Sequence, residues 1–473
     1  MAPKPKSERL TTPVAEKPIF GVFCATALPS GGVVTAGSAA ISQTGSSMRI
    51  DQTSARAVID WRSFNVGSDA AVRFQQPSAS AIVLNRVGAD GVRSVIDGRL
   101  SANGQVWLLN PGGVLFGPTA RVDVGGLLAA SLRLGNDDFM SGNYRFTKEG
   151  SGSIVNQGTL TAADGGYIAL LAPEVTNGGV IAARLGTVAL ASGEELRVDF
   201  SGDRLIEIRV DRADVAGLID NRNLVAADGG WVLMSTDAAG RLANGAINNS
   251  GIVRATTLSE HQGVIKLLGG SVKVAGTLDA SAPSGGDGGF IETSGHSVKV
   301  DSSTRVTTAA AYGKTGSWLI DPNDYTIGFG PSGTDITGAA LSSLLATTNV
   351  TIQTATMGTP GGAGDIFVDA PVSWSSGNAL TLVAERNITI IGNVTGTGLN
   401  SRFAATAPGT LNVFANVTGT GPGGAGGDAV RYQANNLVLS GTTTAIAGTL
   451  SIQPNDPGRS IRIEATPSTG VLS

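Results

Sequence analysis

From Ile41 onward, apolar residues come in short stretches bounded by Gly, Asn, Asp and Ser, and no 3.6-residue period survives the glycines. Several stretches alternate. Ile206, Ile208 and Val210 point one way, with Glu207 and Arg209 the other; Val272 and Val274 flank Lys273, and Val298 and Val300 flank Lys299. A period of two is that of a strand with one face buried and one wet.

Internal repetition decides between a sandwich and a solenoid. Ala162-Ala163-Asp164-Gly165-Gly166-Tyr167 returns as Ala226-Ala227-Asp228-Gly229-Gly230-Trp231 and, loosely, as Asp287-Gly288-Gly289-Phe290. A finer unit appears in Asn156-Gln157-Gly158-Thr159-Leu160, Asn177-Gly178-Gly179-Val180-Ile181 and Asn249-Ser250-Gly251-Ile252-Val253. Each unit is a turn followed by a strand that cannot bury its apolar face without a neighbour, so the pattern predicts an all-β, right-handed parallel β-helix. At ~20 residues per coil and ~4.8 Å between stacked strands, the chain after its leader would form a rod on the order of 100 Å long. One short helix is expected over Asp335–Ala346, where Leu341, Leu344 and Leu345 fall at helical spacing after a capping-type start. The turn residues Asp321-Pro322-Asn323-Asp324 place a boundary near 320, and β-coils are expected to resume beyond the helix.

Composition agrees with a solenoid. Glycine, at 67 of 473 residues, is about twice the roughly 7% norm, while charged residues reach only 15%. Aromatic residues are 5%, so Val, Ile, Leu and Ala must fill the core. A net charge of −4 gives no basic footprint for nucleic acid, which is discarded as a partner.

The chain starts with Lys4, Lys6, Arg9 and Lys17, then the apolar run Ile19-Phe20-Gly21-Val22-Phe23-Cys24, then Ala25-Thr26-Ala27. That order is a secretory leader's, with cleavage expected after Ala27, although Glu8, Glu16, Pro13 and Pro18 make its front half atypical. Cleavage there would remove Cys24, the only cysteine, and leave an exported chain free of thiols. Nowhere else is there an apolar run long enough to span a bilayer as a helix.

Four phrases in the first half resemble the secretion domain of two-partner secretion exoproteins, the family of filamentous haemagglutinins and high-molecular-weight adhesins. The first is Leu28-Pro29-Ser30-Gly31-Gly32 with Asp60-Trp61-Arg62-Ser63-Phe64-Asn65-Val66-Gly67. Next come Leu84-Asn85-Arg86-Val87, then Asp97 to Gly117 with Trp107-Leu108-Leu109-Asn110-Pro111-Gly112-Gly113 at its centre. The fourth is Leu128-Ala129-Ala130-Ser131-Leu132 with Asp138 to Phe146. The family's Asn-Pro-Asn-Gly stands here as Asn-Pro-Gly-Gly, and since both Asn and Gly tolerate a left-handed backbone, the turn is expected to keep its chemistry at 112.

The resemblance implies residues 1–27 as leader, 28–320 as the secretion domain and 321–473 as the start of an exported β-helical shaft. It implies export through a dedicated outer-membrane transporter, with Asn65, Asn85, Asn110, Pro111, Gly112 and Gly113 as the secretion motif and Ala25 and Ala27 as the cleavage site. The destination is the cell surface or medium, by way of the periplasm, and adhesion is the expected role. Capture of a haem carrier and delivery of a contact-dependent toxin are the family's other uses, and the receptor is not legible.

The rival from another class is a carbohydrate-active β-helix enzyme. Asp287, Glu292, Asp321 and Asp324 are the nearest approach to a carboxylate cluster, and all are read as turn residues beside Gly or Pro. His261 and His296 lack metal-ligand spacing, and a single Gly285-Gly286-Asp287-Gly288-Gly289 run is a turn, so no catalytic residue, metal or cofactor is expected. Asn349, Asn387, Asn393 and Asn416 each begin an Asn-x-Thr acceptor pattern that also reads as turn, then strand.

Overall fold

The computed structural model describes residues 24–88, 91–200, 206–214, 216–236, 245–330, 332–355, 362–422 and 427–459; most of the leader, residues 1–23, lies outside them. The chain is 54% strand and 3% helix. One coil runs Ile154–Asn156, Thr159–Ala162, Tyr167–Leu171, and the next runs Glu174–Asn177, Val180–Ala182, Thr187–Ala191. Each strand pairs in parallel with its counterpart one coil on: Ile154 with Val175, Leu160 with Ile181, Ile168 with Val188. All six side chains are fully buried. Burial of each contributes about 1.5–3 kcal/mol, and only a neighbouring coil can supply it. The result is a parallel β-helix.

The longest stack starts with Val33–Ala36, which pairs antiparallel with Arg56–Trp61 as a cap, and ends with Thr449–Gln453. It advances by fifteen pairings. At ~4.8 Å each, that is about 70 Å. The rod is shorter than the coil arithmetic predicts because many coils carry insertions. Residue 187 stacks on 231, for instance, and 231 on 264.

Ile206, Ile208 and Val210 are buried on one face of a strand, as their alternation predicts, but that strand belongs to the largest insertion. Those residues lie not in a coil but in the strand Ile206–Arg212, which pairs antiparallel with Glu195–Phe200. With Tyr144–Lys148 and Leu132–Arg133 they form a four-stranded sheet outside the coils. It covers a second apolar cluster in which Trp107, Phe139 and Phe146 are fully buried. The strands beneath it, Gly126–Ala130 and Thr187–Ala191, are therefore buried at every position and read as continuous apolar runs. One-face burial holds for the later coils, as in Ser271–Val274.

Between about residues 300 and 372 the cross-section changes. The long stack runs through without a break, Trp318 pairing with Ile291 on one side and Val350 on the other. The other two coil sheets end at Ser297–Val300 and Arg305–Thr307, and a new four-stranded sheet begins at Val372–Trp374. The helix forms between them as Gly338–Leu344 and buries Leu341 and Leu344. Its cap is Thr337, whose Oγ1 accepts from the Ala340 amide, while Asp335 accepts from the Thr326 amide and pairs with Lys299.

Candidate secretion motif

The asparagines of the motif point into the coil or into its turns. In the strand Ile82–Val87, Val83 and Val87 face the core, and Asn85 lies between them with no exposure. Its amide is occupied twice: Trp61 Nε1 donates to Asn85 Oδ1 at 3.0 Å, and Asn85 Nδ2 donates to the Trp107 carbonyl at 3.2 Å. One side chain so joins three successive coils, and a buried amide without those partners would cost about 1–3 kcal/mol.

Asn110 is 1% exposed and leaves the long stack at the turn to the next strand. Its Nδ2 donates to the Val92 carbonyl and to Ser94 Oγ, both at 2.9 Å, and its Oδ1 accepts from the Gly112 amide at 2.8 Å. The turn closes with Gly113 N donating to the Asn110 carbonyl. Gly113, at φ +96°, is the left-handed residue here, and Gly112 is not. This corrects the turn expectation: glycine at 112 answers to space, since a Cβ there would come within 2.8 Å of Gly91 and Val92. Pro111 is buried beside them. Asn65 is half-buried, and its Oδ1 accepts from the Val95 amide at 2.8 Å, tying its turn to the next coil.

The cleavage residues also touch the first coil. Gly67 N donates to the Ala27 carbonyl and Asp69 N to the Ala25 carbonyl, and a Cβ on Gly67 would lie 2.2 Å from Ala25 O. Leu28 packs against the core.

The charged members of the phrases are at the surface. Arg86 makes a two-pronged ion pair with Asp60 from the adjacent strand, at 2.8 and 2.9 Å. The pair borders a groove of about 410 Å3 with Pro111 and a second ion pair, Arg133 with Glu149.

Sequence reasoning missed two features. The Asn-Gly units form a buried ladder in which Asn156 donates to Asn177, Asn177 to Asn221 and Asn221 to Asn249, each at 2.8 Å. Asn221 escaped because Asn223 stands where the other units have glycine at the third position. Trp107 turned out to face outward under the covering sheet, its Nε1 donating to Tyr167 Oη at 2.7 Å. Burial pushes the Tyr167 hydroxyl far above its ordinary range, so it stays protonated and donates in turn to Gln105 Oε1.

The carboxylates of the rejected enzyme site are partly relocated. Asp287 and Asp324 do cap turns, accepting from the amides of Lys314 and of Ala363 and Asp365. Glu292 and Asp321, however, lie in strands. Glu292 pairs with Lys266 at 2.8 Å and accepts from Ser294 Oγ. Burial first, and the Glu292 charge second, push Asp321 up to about 6. All four Asn-x-Thr asparagines use Oδ1 to accept an amide from the next coil: Asn349 from Ala379, Asn387 from Thr410, Asn393 from Asn416 and Asn416 from Thr442; Asn349 Nδ2 also donates to the Thr315 carbonyl.

A parallel β-helix capped at its start, with an antiparallel sheet laid over its early coils, defines a class of capped solenoid. Residues 25–280 match the TPS secretion domain family, more than half the chain, and the chain belongs to that family. It is a two-partner secretion exoprotein domain. Two relatives are heme/hemopexin-binding proteins of Haemophilus influenzae. One, from strain Rd, is 35% identical over 211 residues, covering 42% of this chain and 23% of that protein. The other is 43% identical over 105 residues, 22% and 11%. The chain thus matches less than a quarter of these relatives' length. The crystal structure of the HMW1 secretion domain from H. influenzae is similar at TM-score 0.54 and 21% identity, over 89% of this chain and all of that one, a likeness of fold.

Proposed function

We propose that a dedicated pore-forming transporter of the outer membrane exports this chain from the periplasm, and that it reads the segment from Asn65 to Gly113 before the segment folds. The supporting observation is the burial of Asn85 and Asn110, whose amide groups are all engaged inside the folded coil. A transporter that contacts them must do so on an unfolded chain, and coils that close outside then hold the chain there by burying those amides. The test is Asn110→Ala, with the transporter co-expressed. Recognition is supported by a purified variant that folds yet fails to reach the supernatant, at a melting temperature that other exported variants tolerate. Export in proportion to residual stability would make Asn110 structural only.

Beyond export, the exoprotein serves as an adhesin, without catalytic activity of its own. Exposed side chains along the later coils, among them Tyr312, Phe329 and Leu399, support this reading by offering apolar contacts to a macromolecular partner. Capture of a haem carrier is the second reading, favoured by what the two relatives bind. Retention of haem-loaded hemopexin by the purified chain, with no attachment to cell monolayers, would decide for the second.

A further inference from the structure

A second coil sheet opens with Ala39–Thr44, antiparallel to Ser47–Gln52, and continues with Ala71–Gln75, Arg99–Ala102 and Arg121–Val124; the last four of these strands are paired in parallel and in register. Register sets Arg49 directly beside Arg73, and Arg99 directly beside Arg121. All four are exposed. Like charges placed opposite one another on a sheet are destabilising, so two such pairs on adjoining strands need a reason.

Elsewhere in the molecule a similar row is neutralised. Arg145, Arg197 and Arg209 also stand side by side on the covering sheet, but Arg145 pairs with Glu195, and Arg197 and Arg209 pair with Asp211. Of these four coil-sheet arginines, only Arg49 has an ion pair among the described residues, with Asp51. Among the described residues, Arg73, Arg99 and Arg121 have no carboxylate partner. Arg73 reaches only Gln75 Oε1, at 3.5 Å, and Arg121 only the Ala120 carbonyl. Asp123 shares the face without an ion pair, so four arginines and two aspartates leave it net positive on a chain whose total is −4.

The face is also concave. Arg49, Arg73 and Arg99 line a groove of about 660 Å3, with Asp123 at one end and the hydroxyls of Ser42 and Ser101 along its walls. A guanidinium presents a planar fork that fits carboxylate or sulfate with two parallel hydrogen bonds. From Arg49 to Arg121 the two pairs cross three strand spacings, roughly 15 Å, and are offset along the strands by two residues, since Arg73 faces Ser101 and Arg99 faces Ala71. That length suits several successive anionic groups rather than one small ion.

We propose that this groove binds an acidic polysaccharide, a linear glycan with repeated carboxylate or sulfate groups, laid across the strands. Arg73 and Arg99 lie within the Asn65–Gly113 segment but are not the motif residues themselves, and the binding test uses the purified, folded chain, so its outcome is independent of export. The full chain is titrated with polygalacturonate and with heparin at an ionic strength of about 0.15 M, where weak exposed contacts are screened, and the same is done for Arg73→Gln/Arg99→Gln. Arg222→Gln, at an exposed arginine paired with Asp220 on another sheet, is the control. The expected result is saturable binding of at least one glycan, weakened at least tenfold in the double variant and unchanged in the control, with melting temperatures alike. Binding of polygalacturonate alone assigns carboxylates as the recognised group, and of heparin alone, sulfates. The proposal is overturned if neither glycan saturates, if the double variant binds as well as the parent, or if single-stranded DNA of equal charge competes as well as the glycan.

Discussion

Asn177 donates its side-chain amide to Asn221 Oδ1 at 2.8 Å across 44 residues of sequence, inside the coil and without solvent exposure. The covering hairpin accounts for the gap, since Glu195–Phe200 and Ile206–Arg212 are inserted between the two coils. Asn177 also accepts from Asn156, so its replacement by Ala strands donors and acceptors on both sides. Asn177→Ala is expected to destabilise the chain by about 2–3 kcal/mol. Asn223→Ala, at an exposed side chain with one bond to Gly178 O, should cost no more than about 1 kcal/mol. Urea unfolding of both variants checks the difference.

The turn repeated at Asp164-Gly165-Gly166 and Asp228-Gly229-Gly230 has an intervening copy in the coil between, where Leu185 takes the left-handed place at φ 55°. Its amide donates to Asp228 O, as the Gly165 amide donates to Arg184 O. A left-handed leucine costs about 1–2 kcal/mol. Its half-buried side chain recovers part of that, so Leu185→Gly should change stability by less than about 1 kcal/mol, and in the stabilising direction. A fall in melting temperature would show that contacts of the side chain outweigh the strain.

Asp321, held up to about 6, supplies a pH dependence with a definite sign. Its folded-state value lies above the ordinary carboxyl range, so its contribution is present at pH below about 4 and is lost as pH rises through about 6. One of its oxygens is buried without a hydrogen-bond partner, which agrees with a penalty on the charged form. Asp321→Asn should therefore be more stable than the parent at pH 7.5, by about 1 kcal/mol after allowance for solvent screening, and close to it at pH 4.5. Thermal melts at the two pH values test this. Equal gains at both would assign the effect to packing.

The carbonyls of Ala25 and Ala27 each accept one backbone amide from the first coil. A chain beginning at Leu28, as cleavage after Ala27 would leave it, should be less stable than one beginning at Cys24 by about 1–2 kcal/mol. Comparison of their denaturation midpoints measures this, and sequencing of exported material gives the start used in the cell.

Glu292 is engaged by Lys266 and Ser294. No cleavage of acidic polysaccharides is expected from the purified chain. Turnover that disappears in Glu292→Gln would reinstate the enzyme reading.

What the sequence by itself determined was the class of fold and the family. Period-two alternation, recurrent Asn-Gly turns and the phrases around Trp61, Asn85 and Asn110 are local patterns, and a solenoid is built from local units that repeat. What only the tertiary structure decided was which residues meet between coils. Successive members of the asparagine ladder are 21, 44 and 28 residues apart. Because insertions differ from coil to coil, spacing along the chain does not reveal register, and nothing local marks Asn221 as a member of the ladder. The same holds for Arg49 beside Arg73 and Arg99 beside Arg121, whose adjacency exists only across strands. The alternation of Ile206, Ile208 and Val210 identifies a half-buried strand but not its place, because a strand in a coil and a strand laid over one bury one face in the same way. Pairing direction separates them, and pairing is a property of the folded chain.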